Sequence, residues 1–351
     1  MPLSQFLHLA RCNALWFTLF NMTRVAPMKT NLFIVFTPFQ LFNVLEAKNR
    51  FHQNDNNILL FIDKGNAKNK AQVDYILSQN SFDQSHTINY ISSSDKLFKH
   101  KKLNTLLAQF GAIDTVYVAL FRNIAAHCIN TIKPKNVVIV DDGNRTLRVV
   151  KDFFSGQRKN EAKRFLDALL GKKTDLSFIY QATFFSIYPQ IATQVPHFIH
   201  NDYQCLKQKN QRLTTQAQSF IIGSKLVGDT LSAEDFEKII ALMCQHDTCE
   251  KVYLPHRHED LDYLETLAKR YDFRIVVLPT ILEYSLLGLG YRPERLYSIR
   301  STAADTLHQL YDIPVTIFRP DVSMIMPEKQ KELSLVYQHY QAQNYQMVDV
   351  Q

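Results

Sequence analysis

Val137-Val-Ile-Val-Asp-Asp-Gly143 is a run of four apolar residues that passes directly into two carboxylates and a glycine. An uninterrupted apolar run of this kind, bounded by a turn signal, reads as a strand buried on both faces of a parallel sheet. Glycine allows the chain to turn sharply at the end of the strand. Side chains alternate along a strand, so one of Asp141 and Asp142 is expected to face a cleft. Ligands of open parallel sheets gather beyond the carboxyl ends of the strands, which makes this segment both a fold signal and a candidate site. Its competing reading is a plain Asp-Asp-Gly turn that caps the next helix.

The same pattern extends outward from it. Residues 32–36, 58–62, 88–91 and 116–120 are further short apolar runs, and between them residues 39–51, 70–77, 96–110 and 124–132 carry helical spacing. That is a βαβα series. A polar stretch at 204–218 reads as a connection. A second series follows, with strands at 220–222, 252–254, 275–278, 296–299 and 315–318 and helices at 233–244, 261–271 and 303–310. The expected organisation is an extension over 1–27, a first Rossmann-like domain over 28–203, a second over 219–328, and a C-terminal helix over 329–351 that packs back toward the first. The fold class is α/β, with two domains facing a cleft.

A length of 351 residues and a hydrophobic content of 46% suffice for two cores. Lys and Arg number 40 against 33 Asp and Glu, a formal charge of +7. This suits an anionic partner without choosing among nucleic acid, membrane surface and phosphate-bearing small molecules. No helix-turn-helix, RNA-binding or zinc-finger signature accompanies the basic residues, so no nucleic-acid partner is expected. The local cluster Lys96, Lys99, His100, Lys101 and Lys102 reads as a solvated helix face. Five widely spaced cysteines do not form a disulfide framework and suit reduced thiols in cytoplasm. Residues 6–22 are apolar but broken by His8, Arg11, Cys12 and Asn13. They are too short for a spanning helix and carry their charges in the wrong places for a signal peptide. A dispensable extension before Met28 is the expectation.

Other strand ends carry candidate chemistry. In Val252-Tyr-Leu-Pro-His-Arg-His-Glu-Asp260, His256 and Arg257 can serve a phosphate, the imidazole donating to it or protonating it. Alternatively His256, His258 and Asp260 begin a metal loop, although Leu261 stands where a further histidine belongs. The bland alternative is the acidic start of an exposed helix. Ser301 and Thr302 precede the helix at 303–310 and form either a phosphate seat or an ordinary N-cap. Gly223 and Ser224 leave another strand, with Asp229 in the loop beyond. Glu283 can hold ribose hydroxyls or act as an early helix acid. Cys244, His246, Asp247 and Cys249 read as a helix end with buried thiols, and Leu287-Gly-Leu-Gly290 does not complete a dinucleotide fingerprint.

Taken together, Thr37-Pro38-Phe39-Gln40, Asp141-Asp142-Gly143, Tyr253-Leu-Pro-His256-Arg257 and Ser301-Thr302 resemble bacterial sialyltransferases, particularly glycosyltransferase family 52, over most of residues 29–320. The resemblance implies a GT-B fold and transfer of sialic acid from CMP-sialic acid to a terminal galactose of lipooligosaccharide or a related glycan. It implies Asp141 as general base, with Asp142 and Asp229 as rivals, and His256 as the group assisting CMP departure. Ser301 and Thr302 would grip the phosphate and Glu283 the ribose. Gly223, Ser224, Pro255 and Arg257 would line the donor site, and Thr37, Pro38, Gln40 and Asp142 the acceptor or sialic-acid cleft. Pro255 precedes the histidine here, a departure from the His-Pro order of other sialyltransferase families.

The implied reaction is a single inverting displacement, with no cofactor beyond the CMP-sialic acid donor and no metal. The expected partners are a nucleotide sugar and a glycan acceptor, with peripheral inner-membrane association and a homodimer as further expectations. The alternatives are a GT-B transferase using another nucleotide sugar, a metal-dependent hydrolase, and a non-catalytic sugar- or nucleotide-binding protein.

Overall fold

The computed structural model describes residues 28–89, 95–119, 123–143, 145–154, 175–208 and 213–351, so the extension expected over 1–27 lies outside the described residues. The first sheet contains seven parallel strands in the order β3-β2-β1-β4-β5-β6-β7. These are β1 Thr30–Val35, β2 Asn56–Asp63, β3 Gln84–Asn89, β4 Thr115–Ala119, β5 Asn136–Val140, β6 Thr183–Ser186 and β7 His197–His200. Helices α1 Pro38–Phe51, α2 Ala67–Leu77, α3 Asp95–Gln109, α4 Asn123–Ile132, α5 Arg145–Phe154 and α6 Gln204–Gln208 belong to this half. Leu32, Phe33, Ile34 and Val35 of β1 are wholly buried, as an unalternating apolar run in a central parallel strand requires.

The second sheet has six parallel strands in the order β10-β9-β8-β11-β12-β13. They are β8 Thr214–Ile222, β9 Glu250–Leu254, β10 Arg274–Ile275, β11 Tyr291–Ser298, β12 Val315–Pro320 and β13 Gln346–Val350. Its helices are α7 Ala233–Gln245, α8 Leu261–Tyr271, α9 Leu282–Leu289, α10 Thr302–Tyr311 and α11 Pro327–Ala342.

In each sheet the chain winds outward from the first strand, then returns to the centre and winds the other way. The reversals lie between β1 and β4 and between β8 and β11. A crevice opens at the carboxyl ends of the strands flanking such a reversal.

Two expectations are corrected here. The polar stretch 204–218 is not simply a connection: α6 occupies its start, and residues from Thr214 on form the first half of β8, paired with Tyr291–Pro293 of β11. Those residues are largely exposed, so their polarity reflects a strand that runs past the core rather than a loop. The segment 329–351 is also not helix alone, because after α11 the chain ends in β13, which pairs with β12. Lys101 and Lys102 are exposed on α3; the side chains of Lys96, Lys99 and His100 lie outside the described residues. Cys128, Cys205, Cys244 and Cys249 are free thiols.

Candidate functional site

Asp141 and Asp142 follow β5 and point to different surroundings, as successive strand residues do. Asp141 is fully buried. Its Oδ1 accepts from Ser186 Oγ at 2.6 Å and its Oδ2 from the Ile187 amide at 2.7 Å, which ties the end of β5 to the end of β6. Burial pushes its pKa up to about 7 against these hydrogen bonds. The expectation of Asp141 as the base is therefore revised: an acceptor hydroxyl cannot reach a wholly buried carboxyl whose two oxygens both serve the neighbouring strand. Asp142 is half-buried, and its Oδ1 accepts from Gln40 Nε2 at 2.7 Å. Its charge also acts favourably on the Arg257 guanidinium across the domain boundary.

The segment Thr37-Pro38-Phe39-Gln40 organises the end of β1. Thr37 Oγ1 caps α1 through the Gln40 amide at 3.3 Å, with Pro38 in the first turn, where its missing N–H costs nothing. The buried Gln40 side chain accepts from the Phe36 amide at 2.8 Å while donating to Asp142. These residues wire β1 to β5; Thr37, Pro38 and Gln40 thus shape the cleft wall rather than presenting free polar groups to an acceptor.

From the second domain, Pro255, His256 and Arg257 leave β9 and Gly223 and Ser224 leave β8. Glu259 joins the two exits. Its Oε2 accepts from the His256 amide at 2.6 Å, its Oε1 from the Tyr253 hydroxyl at 2.7 Å, and the Ser224 amide also donates to it. A β-carbon on Gly223 would lie 2.2 Å from Glu259 Oε2 and 2.8 Å from the His256 amide nitrogen, so glycine is what lets the exits close together. Burial pushes the Glu259 carboxyl up to about 7.

The His256 pKa is pushed down to about 4, first by burial and then by the charges of Arg257, His258, Lys68 and Lys225. Its Nδ1 accepts from the His258 amide at 3.3 Å, which leaves the proton of the neutral ring on Nε2. His256 is thus a neutral imidazole at pH 7. Arg257 reaches into the first domain, donating to Asn69 Oδ1 at 3.2 Å, and Asn69 in turn donates to the Phe36 carbonyl at the end of β1.

Ser301 caps α10, its Oγ accepting from the Ala303 amide at 3.2 Å, and its own amide and carbonyl are bracketed by the Tyr340 hydroxyl. Thr302 lies against Gly143 of the first domain. Ser224 Oγ donates to the Arg300 carbonyl, which fastens the β8 exit to the β11 exit.

Two expected residues are placed elsewhere. Asp229 is paired with Lys329 Nζ at 3.0 Å, and this contact holds its carboxyl below the usual range, a poor state for a base. Glu283 is buried in the first turn of α9, with its pKa pushed up to about 7 by burial, and its carboxyl bonds its own backbone N–H. It is not presented to a ribose at a cleft surface.

Among the described residues, no three His, Cys, Asp or Glu side chains are grouped to hold a metal ion. Asp247 of the Cys244–Cys249 segment is instead taken by Lys251 Nζ at 2.6 Å and Ser219 Oγ at 2.8 Å.

Sequence reasoning did not single out Lys68, Asn69 or Lys225, and it read Glu259 only as a helix acid. Lys68 and Asn69 sit in an ordinary amphipathic helix, and only the packing of the domains brings them to the site. For Glu259 a signal did exist in the spacing of an acid three residues after His256, beside a strand exit that ends in glycine.

No family model and no curated protein sequence matches the chain. Solved structures do. A UDP-glucosyltransferase from Polygonum tinctorium that glucosylates indoxyl matches over 90% of this chain and 84% of its own, at 13% identity and a TM-score of 0.51. TcCGT1 in complex with UDP matches over 92% and 86%, at 9% identity and 0.53. Medicago truncatula UGT71G1 complexed with UDP-glucose matches over 86% and 82%, at 11% identity and 0.51. The fold is GT-B. In this GT-B chain the facing strand ends meet at Gly143 against Thr302 and at Arg257 against Asn69. Among the described residues, no helix is long and apolar enough to cross a membrane.

Proposed function

We propose that this GT-B chain is a glycosyltransferase that draws its sugar from a nucleotide-sugar donor, with the donor phosphate seated among His256, Arg257, Lys68 and Lys225. One observation carries the reading. His256 and Arg257 leave β9, Lys225 follows the β8 exit, and Lys68 meets them from α2 of the first domain, its Nζ donating to the Arg257 carbonyl at 3.5 Å; after burial, their charges add to the lowering of the His256 pKa. Such a concentration of positive charge in a cleft seats an anion. The start of α10 adds the positive end of a helix dipole beside it.

In the transfer, Asp142 accepts the proton of the acceptor hydroxyl as its oxygen bonds the anomeric carbon. The bond from that carbon to the phosphate oxygen breaks, and its electron pair stays on the phosphate. Arg257 and the lysines stabilise that developing charge, and His256 donates from Nε2. Contact between the two domains excludes water from the activated donor.

The described neighbours handle UDP and UDP-glucose, which favours a nucleoside diphosphate donor as the first to test. A second reading, CMP-sialic acid, is supported by the placement of Asp142 and of the Tyr253–Arg257 motif at facing strand ends. Nucleotide release measured across UDP-, GDP-, ADP- and CMP-linked sugars separates them. Turnover of one donor class supports transfer, and no release from any donor with any saccharide acceptor counts against it.

A further inference from the structure

Asn69 stands in the first turn of α2 and is 7% exposed. Its backbone N–H donates to Asn66 Oδ1 at 2.8 Å, the bond by which Asn66 caps the helix, so its backbone is fixed within its own domain. The side chain is fixed there too: Nδ2 donates to the Phe36 carbonyl at 3.1 Å, just beyond the end of β1. A carbonyl can only accept, so the carboxamide is held with its nitrogen toward Phe36 and its oxygen toward the second domain. There Oδ1 accepts from Arg257 Nη1 at 3.2 Å.

On its own side of the cleft Arg257 donates from Nε to His258 Nε2 at 3.2 Å. An arginine has many rotamers to lose, and the planar fork that suits a phosphate serves best when its plane is already set. With Nε held by one domain and Nη1 by the other, that plane is set, and Nη2 is the nitrogen left for an anion. The effect continues inward, because His258, whose ring takes the Arg257 Nε–H, donates its own amide to His256 Nδ1 at 3.3 Å. Other contacts of α2 hold it to the second domain: Thr280 Oγ1 donates to the Gln72 carbonyl at 3.3 Å, and Asn80 Nδ2 to the Tyr284 hydroxyl at 2.7 Å. The domains therefore stay docked without the Asn69 carboxamide, whose particular effect falls on Arg257.

We infer that Asn69 is a positioning residue of the donor-phosphate seat, reaching from the first domain to fix the Arg257 guanidinium that meets the phosphate. It acts through Arg257, so the seat is complete only when the two domains are together, and phosphate binding is tied to closure of the cleft. The inference deepens the transferase reading and rests on it for the ligand.

The test joins two measurements on the full chain in the wild type, Asn69→Ala, Arg257→Ala and the double variant, with Asn69→Leu, close to asparagine in shape, standing in should Asn69→Ala unfold. Heteronuclear NMR of the arginine Nε–H groups, without ligand, reads the contact itself. The Arg257 signal, identified by its absence in Arg257→Ala, is expected to be protected from solvent exchange in the wild type and to lose that protection in Asn69→Ala. Calorimetric titration of UDP and of CMP reads the phosphate seat. Asn69→Ala is expected to weaken binding about fivefold or more in the wild-type background, through loss of a hydrogen bond to a charged group. In the Arg257→Ala background it should weaken binding less than about twofold, because a residue acting through Arg257 has nothing left to act on. Binding untouched by Asn69→Ala, equal weakening in both backgrounds, or an Arg257 signal that Asn69→Ala does not move overturns the inference and leaves the phosphate seat standing. Failure of the wild type to bind either nucleotide overturns the transferase reading, and the inference with it.

Discussion

A β-carbon built on Gly143 would lie 2.6 Å from Thr302 Oγ1: the end of β5 in one domain touches the first residue of α10 in the other. Gly143 also holds φ at +71°, where side chains are strained. Gly143→Ala therefore combines backbone strain with a clash at the domain junction, and we expect a loss of about 1–3 kcal/mol in chemical denaturation. Adding Thr302→Ala should restore part of it. Purely additive effects would show that the contact across the junction is not what penalises alanine.

Asp141 and Asp142 should separate cleanly on mutation. Asp141→Asn turns one acceptor into a donor opposite the Ser186 hydroxyl or the Ile187 amide, so it should cost stability, about 1–3 kcal/mol. Asp142→Asn should leave the unfolding midpoint within about 0.5 kcal/mol of wild type and lower kcat by about 10²–10⁴. The reverse pattern would return the base to Asp141.

His256 is neutral with a pKa near 4 because it is buried among cations. A bound phosphate reverses that field and raises the pKa, so nucleotide binding at pH 6 should take up a fraction of a proton. Calorimetry in buffers of different ionisation enthalpy measures this directly. Uptake should vanish in His256→Asn while binding persists in weakened form.

Stability should depend on pH through buried acids. Burial raises the folded pKa values of Asp141, Glu259 and Glu283 to about 7, well above the ordinary carboxylate range. Their contribution is fully present below the unfolded values and is lost as pH rises through 7. His256, lowered from 6.5 to about 4, contributes the opposite way, its share being lost as pH falls through that window. With more acids than imidazoles shifted, the thermal midpoint should rise from pH 7.5 to pH 5.5, and Glu283→Gln should flatten the slope.

The sheets were largely legible because parallel strands leave apolar runs with no alternation, as at 32–35, wholly buried, and at 137–140, where Ile139 and Val140 are buried and Val137 and Val138 half-buried. What escaped has physical causes. Residues 214–217 are an exposed stretch of strand without a core to face, so they looked like a connection. Periodicity brought out the strand ends, but it could not tell which of two adjacent aspartates is buried, since that depends on β6 lying beside β5. Lys68 and Asn69 reach the site only because one domain is set against the other, a relationship that short-range pattern does not encode.

The central claim is that the cations at the ends of β8 and β9 seat a nucleotide phosphate, and titration of UDP and of CMP into the wild type and Arg257→Ala tests it most directly. Binding of at least one nucleotide by the wild type, weakened tenfold or more in Arg257→Ala and falling steeply with salt, is the predicted result. Binding unchanged in Arg257→Ala, or binding of neither nucleotide by a folded wild-type protein, would contradict it.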